Sequence, residues 1–212
     1  MSAGKWLLRV IPGEPTGLFV ANPPLHRRYS TRSGFIHGSK FVPSNLNLTI
    51  MQQNEQKLTT CLWYDNNAEE AVAFYASIFK ENLQKGDILR WGDVGNGPKG
   101  SVLTSTFHLF GQEFLALNGG PQVTFNMAVS ICVYCNTQAE VDELWEKLSE
   151  GGEKSQCGWL KDKFGLFWQI TPRILPQMLM DKDQKKANKV MAVMMEMSKI
   201  VIKDLQAAYD AA

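Results

Sequence analysis

An α+β fold is predicted by three observations: a strand–helix–strands unit that occurs twice, two helices whose apolar stripes match at a fixed offset, and turn signals that divide the rest into antiparallel strands. Both copies lie between about Leu58 and Thr171. The run Cys61-Leu62-Trp63-Tyr64 suits a buried strand, and Ile131-Cys132-Val133-Tyr134 repeats it 70 residues later.

Each run leads into a helix start. Asn67 and Glu70 have the spacing of a capping box, and Thr137 and Glu140 repeat it. Such caps satisfy backbone N–H groups that a helix leaves unpaired. The stripes follow: Ala71, Phe74, Tyr75 and Ile78 fill slots i, i+3, i+4 and i+7, and Val141, Leu144, Trp145 and Leu148 fill the same slots. Gly151-Gly152 ends the second helix.

Strands follow each helix. In the first unit Ile88–Trp91 is extended, Gly92–Gly100 turns, Ser101–Phe110 alternates, and Phe114–Asn118 returns after a turn at Gly111-Gln112. In the second, Gln156–Leu160 and Leu166–Thr171 flank the turn Asp162-Lys163-Phe164-Gly165. Beyond Pro172 the chain reads as helical. Ile174–Met180 is a short apolar piece, and Asp183–Met197 is a helix with Ala187, Val190, Met191, Met194 and Met195 on its buried side. Ile200–Ile202 reads as extended, and Asp204–Tyr209 as a closing helix.

Residues 1–55 are read as a basic, disordered leader, 56–173 as the domain, and 174–212 as a helical extension packing on the domain or a dimer partner. Residues 1–50 carry six basic side chains and one acidic, Glu14; the remainder carries 16 basic and 20 acidic. The leader is proline-interrupted, and Arg28-Tyr29-Ser30 resembles a presequence processing site. An unstructured tail, a start at Met51, or a mitochondrial presequence over residues 1–29 all fit; without targeting, the expectation is cytoplasmic. Asn47-Leu48-Thr49 is a sequon with no secretory signal before it.

Near-neutral charge argues against nucleic acid as a partner, and the lack of any apolar run of about 18–20 residues argues against a membrane span. The four cysteines read as reduced thiols in a chain that folds without staples. Cys132 and Cys135 have C-x-x-C spacing, but an odd offset on a strand sends them to opposite faces. Gly95–Ser101 has Lys-Gly-Ser in the wrong order for a phosphate loop and precedes a strand. No G-x-S-x-G elbow is present, and His108 is the one histidine of the domain. Glu113 and Asp162 are read as exposed carboxylates.

Several stretches together resemble a known family: Trp63–Ala71, Phe74-Tyr75, Gly97–Ser101, Ala116–Pro121 and Cys157–Asp162. They are similar to PhnB-like members of the vicinal-oxygen-chelate superfamily, which also holds glyoxalase I, bleomycin-resistance proteins and extradiol dioxygenases. The resemblance covers about Leu58 to Tyr209. It implies paired βαβββ units forming a cupped, incomplete barrel around a small-molecule pocket, and a homodimer.

Some members carry a demethylubiquinone methyltransferase label. This chain has no G-x-G-x-x-G turn joining a strand to a helix to hold a nucleotide-like methyl donor. Metal-dependent members draw His, Glu or Gln from the first and last strands of both units. The resemblance puts Gln169 in the slot after Gly165 and the others at about Thr60, Ala116 and Ala128. Thr and Ala do not replace imidazole or carboxylate ligands, so no metal and no cofactor are expected.

A ligand pocket is expected from flat apolar surfaces with a few amides. The candidate ligand-binding residues are Thr60, Trp91, Phe107, Asn118, Gln122, Trp159 and Gln169. Trp168 offers a further flat surface. The leading expectation is a metal-independent small-molecule binder. The alternatives are a metal-dependent isomerase, lyase or dioxygenase of the superfamily, and a dimeric interaction protein with a vestigial pocket. Six of the nine methionines fall between Met178 and Met197, as in a core or a dimer interface.

Overall fold

The computed structural model describes residues 57–212. The leader, with its processing motif, sequon and alternative start, lies outside the described residues.

The first unit runs β1 (Thr60–Tyr64), α1 (Ala68–Phe79), a 3-10 turn over Lys80–Asn82, β2 (Leu83–Arg90), β3 (Val102–Leu109) and β4 (Gln112–Asn118). The second runs β5 (Ile131–Cys135), α2 (Gln138–Leu148), β6 (Glu153–Lys154), β7 (Trp159–Lys161) and β8 (Phe167–Pro172). Each unit makes an open four-stranded sheet, ordered β1-β4-β3-β2 and β5-β8-β7-β6. The first and last strands of a unit pair parallel and the rest antiparallel. The sequence foreshadows this α+β architecture of paired βαβββ units.

One relation between the copies differs from the sequence reading. The helices keep the offset of 70: Ala71, Tyr75 and Ile78 are buried, as are Val141, Trp145 and Leu148. The strands are offset by 71. Leu62 and Tyr64 are buried in β1, and their counterparts by burial are Val133 and Cys135. Register agrees, because Leu62 pairs with Ala116 and Val133 with Ile170, all four buried. A single-residue slip exchanges the two faces of a strand, so the distinction fixes which side chains look outward.

Helix entry also differs between the copies. Thr137 caps α2 as expected, its Oγ1 accepting from the Glu140 amide at 3.2 Å, while Glu140 accepts from the Asn136 amide. Asn67 makes no side-chain cap to α1. Asn118, at the end of β4, supplies the acceptor instead: its Oδ1 takes the Ala68 amide at 2.9 Å, and its Nδ2 donates to the Val102 carbonyl at 3.0 Å.

One apolar core spans both units, joining α1, α2 and the inner faces of both sheets. A second, smaller core gathers α3 (Ile174–Leu179), α4 (Gln184–Met195) and α5 (Ile202–Asp210) around Val190, Ile200 and Leu205. Asp183 caps α4 through the Lys185 amide at 2.9 Å. Ile200 is buried in this core, Val201 is extended as the sequence suggests, and α5 begins at Ile202. The methionines divide. Met178, Met194 and Met197 pack in this core, whereas Met180, Met191 and Met195 are exposed, which corrects the buried side read for Met191 and Met195.

Gln138 in α2 ties this helical part to the second unit. Its Oε1 accepts from the Ile202 amide at 2.8 Å and its Nε2 donates to the Ile200 carbonyl at 3.1 Å. The Cys157 amide adds a bond to the Met197 carbonyl at 2.7 Å.

Candidate functional site

The most elaborate polar cluster joins the two units beneath their sheets. Asp162 follows β7 at the start of its turn and is 1 % exposed, not the surface carboxylate the sequence suggests. Its Oδ1 accepts the Phe164 and Leu166 amides at 2.9 and 3.0 Å. Its Oδ2 accepts Tyr75 Oη and Trp168 Nε1, both at 2.8 Å. Because Tyr75 donates to Asp162, Tyr64 Oη, 3.2 Å away, donates to Tyr75.

Burial pushes the Asp162 carboxyl up, and these donors pull it back. A carboxylate offers about four lone-pair directions, and all four are used. None remains for a substrate. Desolvation likewise pushes the Tyr64 and Tyr75 phenols up. The cluster therefore fixes the unit junction and does not act as an open general base. Its sequence signal is the short turn Asp162–Gly165, whose aspartate can turn back onto its own backbone.

Two of the seven expected ligand residues are brought together. Trp159 in β7 is the cross-strand partner of Gln169 in β8. Alternation places Trp168, Ile170 and Pro172 in the core and leaves Phe167, Gln169 and Thr171 half-exposed on the outer face. Gln169 Nε2 donates to Ser130 Oγ at 2.8 Å. No donor among the described residues reaches its Oε1.

The other five lie elsewhere. Phe107 is in the core, stacked on Phe114 with centroids 5.1 Å apart. Asn118 spends both ends of its amide on backbone. Thr60 opens β1 opposite Phe114. Trp91 lies under its own loop, where a side chain at Gly95 or Gly97 would run into its ring. Gln122 is exposed in the connection between units. Gly95–Gly100 does spell G-x-G-x-x-G, but it joins antiparallel β2 and β3, with no helix start to receive a pyrophosphate.

The residues do not fit a divalent ion at the superfamily position. Ala116 is fully buried and carries no donor atom, Ala128 precedes β5, and Thr60 and Gln169 stand on different sheets. Among the described residues, no group of three His, Cys, Asp or Glu side chains is placed to hold a metal. Cys132 is exposed and Cys135 buried, so the C-x-x-C pair does face opposite ways; burial pushes the Cys135 thiol up to about 12. His108 stands 3.7 Å from Glu113, its cross-strand partner. No described helix is long and apolar enough to cross a membrane.

A cleft of about 450 Å³ opens where the units meet. Trp63 and Tyr64 from β1, Phe125 from the connection, and Phe164 and Phe167 from the second unit line it, with Lys161 and Asn67 among its polar groups. Trp63 is held in place, since its Nε1 donates to the Gly120 carbonyl at 2.8 Å and its ring lies against Gly119.

Residues 56–171 match the family model described as 3-demethylubiquinone-9 3-methyltransferase. A PhnB protein from Bacillus cereus bearing the same description is 36% identical, with 55% of this chain and 99% of that chain covered and a TM-score of 0.51. A Pseudomonas aeruginosa protein is 19% identical over 54% of this chain and 96% of its own, with a TM-score of 0.46. The fosfomycin resistance protein FosX from Listeria monocytogenes is 16% identical over 60% of this chain and 99% of its own, also with a TM-score of 0.46. Curated proteins give no match. With more than half its length matched by the model and its paired βαβββ units in place, the chain belongs to the 3-demethylubiquinone-9 3-methyltransferase family, a PhnB-like branch of the vicinal-oxygen-chelate superfamily.

Proposed function

We propose that this protein binds a small molecule without a metal, as a homodimer, on the outer face of its second sheet. The observation that carries the reading is the Trp159–Gln169 pair, a flat apolar ring beside an amide whose Oε1 is open to a ligand donor. The lack of metal rests on donor chemistry: alanine supplies nothing at two of the four superfamily slots. The methyltransferase in the family's description is not adopted, because among the described residues no glycine-rich turn leads from a strand into a helix to hold the donor. Dimerisation is supported by open sheets with half-exposed outer faces and by exposed Met191 and Met195.

The test is a thermal-shift screen of aromatic, quinone and antibiotic-like compounds against the wild type and the variants Gln169→Ala and Trp159→Ala. A compound that stabilises the wild type and loses its effect in both variants supports the site. Stoichiometric bound divalent metal, lost together with a catalytic activity in Gln169→Ala, overturns the metal-free reading. Sedimentation as a monomer at micromolar concentration removes the dimer.

A further inference from the structure

The junction cleft has an anchored wall, a cation and an amide with no structural duty. Its anchored wall is Trp63, fixed by Gly120 and pressed on Gly119. Phe125 and Phe164 both meet Tyr64 edge-on, at 5.2 and 6.4 Å between centroids, and Tyr64 is tied through Tyr75 to Asp162. The aromatic groups are therefore positioned before any ligand arrives, which lowers the ordering cost of binding. Opposite them, Lys161 and Phe167 are cross-strand partners on the half-exposed face of the second sheet.

The polar groups narrow the chemistry. Lys161 Nζ reaches Glu153 Oε1 at 2.5 Å, but that carboxylate is largely exposed on a two-residue edge strand. An ion pair open to water in this way contributes little and yields readily to a better-placed anion. Asn67 stands at a helix entry yet makes no cap, because Asn118 supplies that acceptor. Asn67 is among the residues that line the cleft. The volume, about 450 Å³, lies in the range of small-ligand sites.

We propose that this cleft binds a planar aromatic molecule bearing a carboxylate, its ring among Trp63, Phe125 and Phe167 and its anion on Lys161. The proposal rests on the reading of this chain as a small-molecule binder and assigns the ligand class to the unit junction. The site continues along β7 and β8 from the Trp159–Gln169 pair, two residues away on each strand.

The probe is 2-naphthoate, with neutral 2-naphthamide as its isosteric control, titrated into the full-length protein labelled with nitrogen-15. The Trp63 indole N–H signal, assigned through Trp63→Phe, is followed together with that of Trp159. The expected result is that 2-naphthoate shifts the Trp63 signal with at least tenfold higher affinity than 2-naphthamide. Lys161→Gln should erase that preference. Thr124→Trp, a surface change on the cleft rim that spares the core, should abolish binding of both probes. A shift confined to Trp159 overturns the cleft assignment while leaving the sheet-face reading intact. Equal affinity for the two probes, or a preference that survives Lys161→Gln, overturns the carboxylate class. Silence at both tryptophans in a well-dispersed spectrum overturns the proposal.

Discussion

Tyr75 Oη donates to Asp162 Oδ2 at 2.8 Å, so a helix of the first repeat is hydrogen-bonded in the core to a turn of the second. Tyr75 also meets the Trp168 ring at 5.3 Å, and Trp168 donates to the same carboxylate oxygen. The contact therefore combines aromatic packing with a saturated buried acceptor, and losing either partner leaves the other in an apolar setting.

Asp162→Ala should strand four donors, Tyr75 Oη, Trp168 Nε1 and the amides of Phe164 and Leu166. The expected loss is roughly 3–5 kcal/mol, because several buried neutral donors are left unsatisfied at about 1–3 kcal/mol each, partly offset by relief of the desolvated carboxylate. Asp162→Asn should recover less than half, because its NH2 would face two of those donors. Urea unfolding followed by tryptophan fluorescence reads both values. A loss below about 1 kcal/mol for the alanine variant would contradict the role assigned to this carboxylate.

Asn118→Ala should cost about 1–2 kcal/mol, since the side chain caps α1 and also ties down the Val102 carbonyl. Asn67→Ala should stay within about 0.5 kcal/mol of wild type, because its side chain makes no cap. Thr137→Ala, at the equivalent entry of α2, should cost about 1 kcal/mol. Denaturation midpoints of the three variants test the order; equal effects at Asn67 and Asn118 would place the cap on the wrong residue.

Gln138→Ala should loosen α5 locally. The substitution removes the acceptor of the Ile202 amide and a donor to Ile200, while Val141, Trp145 and Leu148 keep α2 seated. Hydrogen exchange should speed up across 202–210 by about tenfold or more, equivalent to about 1.4 kcal/mol, with little change in β8. Unchanged protection in α5 would show that the small helical core alone holds it.

Alkaline stability should be governed first by Cys135, with a further contribution from Cys61, whose thiol is also pushed up by burial. Burial raises the Cys135 thiol from 9.0 to about 12 in the folded protein. Above pH 9.0 the unfolded chain loses this proton while the folded chain keeps it, so stability falls as pH rises from 9.0 toward 12. Above pH 10.0 Tyr64 and Tyr75, also raised by burial, add to the decline. Cys135→Ala should flatten the slope between pH 9 and 10. At pH 8, iodoacetamide should modify exposed Cys132 rapidly and spare Cys135 until the protein unfolds.

The helices are legible in the sequence because burial repeats with the helical period, and Ala71, Tyr75, Val141 and Trp145 each fall where that period puts them. The strands are harder to align. Cys61-Leu62-Trp63-Tyr64 and Ile131-Cys132-Val133-Tyr134 are both apolar throughout, so alternation does not reveal which residues face inward. Only pairing with β4 and β8 fixes the slip. Asp162 is misread for a related reason, since three of its four donors come from the turn and β8 but the fourth, Tyr75, is 87 residues away. Of the candidate site, Gln169 is named from the family slot after Gly165 and Trp159 as a flat apolar side chain before it; that the two stand side by side follows only from the register of β7 and β8. The cleft is not, because Trp63, Phe125 and Phe167 are brought together only by the meeting of the two units.

The Tyr64–Tyr75–Asp162–Trp168 cluster carries a consequence for how the duplication behaves in solution. The two repeats share the cluster, with both phenols in the first and the carboxylate and indole in the second, and both contribute to the common core. A chain severed in the exposed connection near Gln122 would yield two fragments, one with a buried phenol pair and the other with a carboxylate that has lost a donor. Neither half is then a self-sufficient foldon, and unfolding should occur as one transition across 57–172. The repeat is a symmetry of sequence and topology, whereas the cooperative unit is the pair.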